Sequence, residues 1–336
     1  MKNRSESEAM AGLAWQEMVA PYQQPDKKSS IKQLVTTLLG YVLLWGLMIA
    51  SLKISLWLTA ILVIPASLFL VRLFIIFHDC GHNSFFKSRT ANRWVGFFLG
   101  IIVFTPSEDW WYAHAIHHAS AGNLDKRGTG DITTLTVEEY RNSSRWNRLT
   151  YRIFRHPLAM FVIGPVAVFF ITQRFPSASA RRAEKLSVLY TDIGLVVLFA
   201  GMGWLVGWKE FAILQLTVMW LAASMGIWLF YIQHQYENMY WRRTADWNYV
   251  DSAMKGASCY RLPRILEWFS GNIGYHHIHH LSPRIPNYYL KTCYLANPQL
   301  HNVNTFDLKS SLKSLSLRLW DEEKGKMVGF AEISVS

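Results

Sequence analysis

The chain has 336 residues, 51% of them hydrophobic and 15% aromatic, with 15 tryptophans, yet its formal net charge is +11. That combination argues against a soluble globular protein and fits a membrane protein with one basic side, through the positive-inside bias and attraction to anionic lipid. A nucleic-acid binder would share the basic charge but not the long apolar runs, so no nucleic-acid partner is expected.

Residues 1–32 are polar and show no signal-peptide pattern, which predicts an N-terminus that stays in the cytoplasm. Four runs then reach the roughly 20 apolar residues that a bilayer crossing needs: about 33–52, 54–77, 186–206 and 211–232. Lys53 and its neighbours join the first two, and Gly207-Trp208-Lys209-Glu210 joins the second two, so each pair is predicted to be a helical hairpin. Lys27, Lys28 and Lys32 precede the first hairpin, and Arg174, Arg181, Arg182 and Lys185 precede the second. Both hairpins should therefore start and end in the cytoplasm. Arg72, near the end of its span, is placed to snorkel to the interface. Two shorter runs, Trp94–Thr105 and Leu158–Thr172, are too short to span comfortably and read as half-embedded. A single crossing by either would put part of the histidine set on the wrong side. The membrane domain is thus expected over residues 33–320, followed by a C-terminal tail, 321–336.

The histidines gather where these runs meet the cytoplasm. His78 and His82 lie in HDCGH at the end of the second span, and His114, His117 and His118 in HAIHH after the first short run. His234 directly follows the fourth span, and GYHHIHHLSP (Gly274–Pro283) holds His276, His277, His279 and His280. Side chains at i, i+3 and i+4 share a helix face. Three segments therefore each present imidazoles on one side, giving eight candidate metal ligands, with His234 a ninth; His277 points away. One ion rarely takes more than six ligands, so the set implies two metals, and imidazole favours iron, zinc or copper over magnesium or calcium. Asp79 is placed to orient a ligand histidine from behind. The three cysteines, Cys80, Cys259 and Cys293, form no metal-binding or disulfide pattern. A membrane zinc hydrolase would need fewer histidines and often a carboxylate base, and a metal transporter would place ligands within its spans.

HDCGH, HAIHH and HHIHH resemble the three histidine boxes of the membrane fatty acid desaturases, and the hairpin–boxes–hairpin–box layout matches over about residues 30–320. SAGNLDKRGTGDITTLTVEEY and GNIGYHHIHHLSPRIPNYYL are similar to bacterial acyl-lipid desaturases of the Bacillus Δ5 type. The resemblance implies an all-α integral membrane protein: four transmembrane helices in two hairpins, half-embedded helices, and a cytoplasmic helical cap. It implies two non-haem iron ions held by His78, His82, His114, His117, His118, His276, His279 and His280, with His234 as a further ligand and Asn272 on a metal-bound water. The expected reaction is O2-dependent desaturation of acyl chains of membrane phospholipids in the cell membrane, leaving a cis double bond. A hydroxylase would use the same boxes. An unactivated methylene offers no acidic proton, so a metal must carry the oxidation. No GxGxxG fingerprint or cluster-binding cysteine set is present, so electrons must come from outside, and the resemblance implies ferredoxin or a flavodoxin-like carrier as the donor.

Two further expectations concern surfaces. Lys87, Arg89, Arg93, Lys126, Arg127, Arg141, Arg145, Arg148, Arg152 and Arg155 lie between the hairpins, as lipid-headgroup contacts or as a docking patch for an acidic electron carrier. Trp110 and Trp111 precede His114, and Trp228, Phe230 and Tyr231 precede His234. These aromatics form either an interfacial belt or the walls of a dry substrate tunnel.

Overall fold

A computed structural model describes residues 15–333 of the chain. The first hairpin is α1 (Lys27–Ser51) and α2 (Leu56–Gly81). Asp26 starts α1 by accepting the Ser29 amide at 2.7 Å, which satisfies one of the unpaired donors of the first turn. α3 (Arg89–Ile102) and α4 (Ser107–Ser120) follow, then α5 (Val137–Asn142), held by a capping box of Thr136 and Glu139, and α6 (Arg145–Phe154). Beyond α6 the chain bends by 62° into two short wide-turned helical stretches, Ala159–Ile163 and Val166–Ile171. The second hairpin is α7 (Arg182–Val206) and α8 (Trp208–His234). They turn at Gly207, whose φ of +107° is open to glycine at no steric cost.

The four long helices are those with the length and hydropathy to cross a membrane among the described residues, or there are five crossings if the bent pair counts as one. α2 is the central post. Its Leu70, Leu73, Ile76 and Phe77 are fully buried, and Ser67 donates to the Val218 carbonyl of α8 at 3.1 Å. On α1, by contrast, Leu39, Val42 and Leu43 are each 64% exposed, an apolar face suited to lipid. α2 and α8 both run past the predicted limits, to Gly81 and His234, because hydropathy marks the bilayer and not the helix, which continues into the polar layer above it. α3 is too short to span, and α6 exposes Trp146, Leu149 and Ile153 beside its arginines, an interfacial pattern.

Arg72 does not snorkel to open water. It is buried, lies 3.9 Å over the Trp268 ring, and donates to the Thr37 hydroxyl and the Trp268 carbonyl, so it pins α2 to the cap. That cap comprises α9 (Tyr249–Gly256), α10 (Arg264–Phe269), α11 (His276–Leu281) and α12 (Asn287–Ala296), with short strands between and after them. β1 (Cys259–Tyr260) pairs in parallel with β2 (Thr305–Phe306), and β3 (Leu319–Asp321) pairs antiparallel with β4 (Lys326–Val328). The anticipated tail boundary at 320/321 falls inside β3, and through residue 333 that segment is folded. Trp320, Met327 and Val328 are buried against Leu124, Tyr236, Trp241 and the Tyr140–Tyr151 pair, and Trp320 takes its backbone partner from Leu135 at 3.0 Å.

Candidate metal centre

Four elements deliver the histidines. The end of α2 carries His78, with His82 as its C-terminal cap; α4 carries His114, His117 and His118; the last residue of α8 is His234; α11 carries His276, His279 and His280. The predicted shared faces are real, and the structure divides them. One ring nitrogen from each of His78, His82, His114, His118 and His279 lies within 4.8 Å of the others, and His117, His234 and His280 form a second such group. His276 joins the second group, its Nε2 being 2.9 Å from that of His234 and 3.1 Å from that of His280. Each HxxHH box thus straddles both groups. Positions i+3 and i+4 leave the helix about 100° apart, so His117 turns to one centre and His118 to the other.

The inward nitrogens fit a cation. His118 Nε2 faces His114 Nε2 at 3.1 Å and His279 Nε2 at 3.0 Å, while one N–H can satisfy only one of them. Burial first, and the neighbouring imidazoles next, push His82, His114, His118, His276, His279 and His280 well below the usual histidine range. Neutral rings with converging lone pairs are what a borderline divalent metal takes, and neither group contains a thiolate or a carboxylate. His277 turns away, as its position predicts. It is buried against Tyr294 with Nε2 3.1 Å from the Leu300 carbonyl, and its burial lowers it to about 4.

Behind the rings, Asp79 is 1% exposed, with Oδ1 3.0 Å from His78 Nδ1 and Oδ2 accepting from the Asn287 amide (2.7 Å) and side chain (2.8 Å). It ties the first histidine pair to the start of α12. Asp131 Oδ1 lies 2.6 Å from His117 Nδ1, and the Gly256 carbonyl lies 3.2 Å from His234 Nδ1. Asn272, in a left-handed conformation, donates to the Asn287 carbonyl at 3.3 Å.

The aromatic quintet divides as well. Trp110 stacks on His114 with ring centroids 4.5 Å apart, and Phe230 lies 5.3 Å from His117 and 5.1 Å from His234. Trp111 is held by the Phe77 carbonyl, Trp228 donates to the Tyr260 hydroxyl, and Tyr231 donates to the Ser314 carbonyl at 2.7 Å. Two of the five border the histidines, and three are engaged in packing. The basic set divides too: Arg155 is fully buried on Gln235, and Arg127 pairs with Glu139, whereas Lys87, Arg89, Lys126, Arg141 and Arg145 are exposed.

A family model described as fatty acid desaturase matches residues 27–305, which contain every histidine of both groups. The chain belongs to the fatty acid desaturase family. It is 46% identical over 94% of its length to a fatty acid desaturase of Bacillus subtilis, covering 90% of that protein. It is 28% identical to an sn-1 acyl-lipid omega-3 desaturase (ferredoxin) of Synechocystis, over 65% of this chain and 61% of that one. An sn-1 oleoyl-lipid 12-desaturase of Arthrospira platensis is 26% identical over 65% of this chain and 62% of its own. Membership makes the chain an oxidoreductase acting on fatty acyl groups, and gives the histidine layer its setting. Sequence reasoning missed Asp131 and Asn287. Asp131 stands 14 positions beyond His117 in a polar loop, with no helical spacing to mark it, and only the fold of that loop reveals the contact.

Proposed function

We propose that the protein is an acyl-lipid desaturase that introduces a cis double bond, at the Δ5 position, into saturated chains of membrane phospholipids at a non-haem di-iron centre. The carrying observation is the pair of closely spaced, buried, all-imidazole groups in a chain of this family. Similarity to relatives named as acyl-lipid and ferredoxin-dependent supports a lipid substrate and a ferredoxin or flavodoxin-like donor. The lysine- and arginine-rich starts of α1 and α7, on the side where α2 and α8 end, support a cytoplasmic setting for the boxes and the N-terminus.

The overall balance converts two adjacent CH2 groups, O2, two electrons and two protons into a CH=CH unit and two waters. His78, His82, His114, His118 and His279 would hold one iron, and His117, His234, His276 and His280 the other, with Asn272 beside α12 as the candidate water holder. The iron pair, when bound, supplies the O2 activation and hydrogen abstraction that no side chain provides. The protein's own tasks are to keep the imidazoles oriented and to exclude water. Trp110, stacked on His114, and Phe230, tilted against His117, wall the approach so that a methylene and not solvent reaches the metal pair. The exposed members of the basic set, not Arg155, receive the acidic carrier, and turnover with ferredoxin should fall steeply as salt rises.

Expression in a host lacking unsaturated fatty acids, followed by mass spectrometry of its phospholipids, tests the reading. A new double bond at carbon 5 is the expected result. A chain that retains oxygen from O2 would indicate a hydroxylase, and zinc-containing protein without such products would point to a hydrolase.

A further inference from the structure

Asp131 combines two features that a loop acid has no need of. Its side chain is 7% exposed, and one oxygen sits 2.6 Å from His117 Nδ1 while the other has no partner among the described residues. Asp131 also lines a cavity of about 10 Å³ shared with His117, His234 and Gly256, room for roughly one water. Gly130 makes the approach possible. At its φ of +72° a Cβ would come within 2.9 Å of the Ala113 carbonyl and 3.0 Å of His117 Cβ, so only glycine lets the loop lie on α4.

The loop is pinned from the far side as well. Arg155, buried and without a carboxylate partner among the described residues, donates to Gln235 Oε1 at 2.7 Å and to the Thr133 carbonyl at 3.4 Å, and Gln235 Nε2 lies 3.2 Å from the Thr134 hydroxyl. Gln235 follows His234 in sequence. The loop that carries Asp131 and the side chain of the residue after His234 are therefore joined through one guanidinium. A carboxylate on Nδ1 fixes the tautomer of an imidazole, leaves the Nε2 lone pair facing inward and raises its basicity. His117 Nε2 is 3.2 Å from His234 Nε2, within the second group.

We propose that Asp131 is a positioning residue for His117, and through it for the group of His117, His234, His276 and His280. The proposal rests on the two-metal reading above. It predicts that one metal of the pair depends on Asp131 and the other does not.

The test uses full-length wild-type protein and its Asp131→Asn, Asp131→Ala and Asp125→Ala variants in detergent, loaded with ferrous iron and titrated with a chelator. Asp125 is exposed, lies in the same stretch of chain as Asp131, pairs with Arg243 from a distant segment, and serves as the control. Asp131→Ala should release one ion at about 10–100-fold lower chelator concentration than wild type while keeping the other. Asp131→Asn, which retains an acceptor without the charge, should fall between, and Asp125→Ala should match wild type. Mössbauer spectra of the Asp131→Asn protein should show one of the two iron signals altered. Both variants holding both ions as tightly as wild type would overturn the proposal, as would loss of both ions in step with loss of helical circular dichroism. Wild-type protein that binds no iron would remove the desaturase reading itself and this inference with it.

Discussion

The membrane hairpins and the histidine layer above them solve opposite problems. In the hairpins the apolar residues face both ways: Leu73 and Val218 inward with none of their surface exposed, Leu43 and Val42 outward at 64%. Lipid tolerates either, so many side chains would serve at each outward position. In the histidine layer the direction of every ring matters, and buried polar groups such as Asp79, Gln233 and Arg155 carry hydrogen bonds from one segment to another. The lesson is that the hairpins set where the chemistry lies relative to the bilayer, while the cap sets whether the imidazoles converge. Substitutions should be tolerated in the first region and punished in the second.

The sharpest break in that comparison comes from His279→Ala, which removes a ring from the five-membered group and leaves all four long helices intact. Turnover should vanish and metal content fall while membrane insertion, read by carbonate extraction, persists. Full activity would remove His279 from the site. Asp79→Ala should come next. It frees His78 and orphans the buried Asn287 amide, and metal affinity should drop about 10–100-fold, measured by the same chelator competition.

Within the aromatic set the contrast can be drawn residue by residue. Phe230→Ala and Trp110→Ala, beside the rings, should shift double-bond position or chain preference in the lipid products. Tyr231→Ala, whose hydroxyl serves the Ser314 carbonyl, should lower stability and leave the products unchanged. Product maps identical for all three would discard the tunnel and leave packing alone. His277→Ala sits inside the cap yet off the metal face. It should keep both ions and cost about 1–3 kcal/mol of stability for the lost contact with the Leu300 carbonyl. The smallest effect belongs to the lipid face: Leu43→Ala should change stability by no more than about 0.5 kcal/mol in detergent.

How much of this was legible in the sequence follows the same division. Hydropathy locates the four long helices because burial in lipid needs only composition, and helical spacing puts His114, His117 and His118 on one side of α4. Spacing alone does not separate His117 from His118 between two centres, since that depends on where α8 and α11 arrive. Nor does it expose the Asp131–His117 contact or the fold of residues 321–333, where Trp320 and Met327 pair across β3 and β4. Arg72 and Arg155 looked like interfacial cations and proved to be buried clamps, because their partners are backbone carbonyls and an amide from distant segments. Such long-range pairings have no local periodicity to betray them.

Counting metal in purified wild-type protein decides whether the nine imidazoles in two groups hold a pair of iron ions. Elemental analysis alongside quantitative amino-acid analysis should give about two irons per chain, and about one in the His279→Ala protein, where the five-ring group alone is disrupted. A wild-type value of one, or zinc in place of iron, would contradict it.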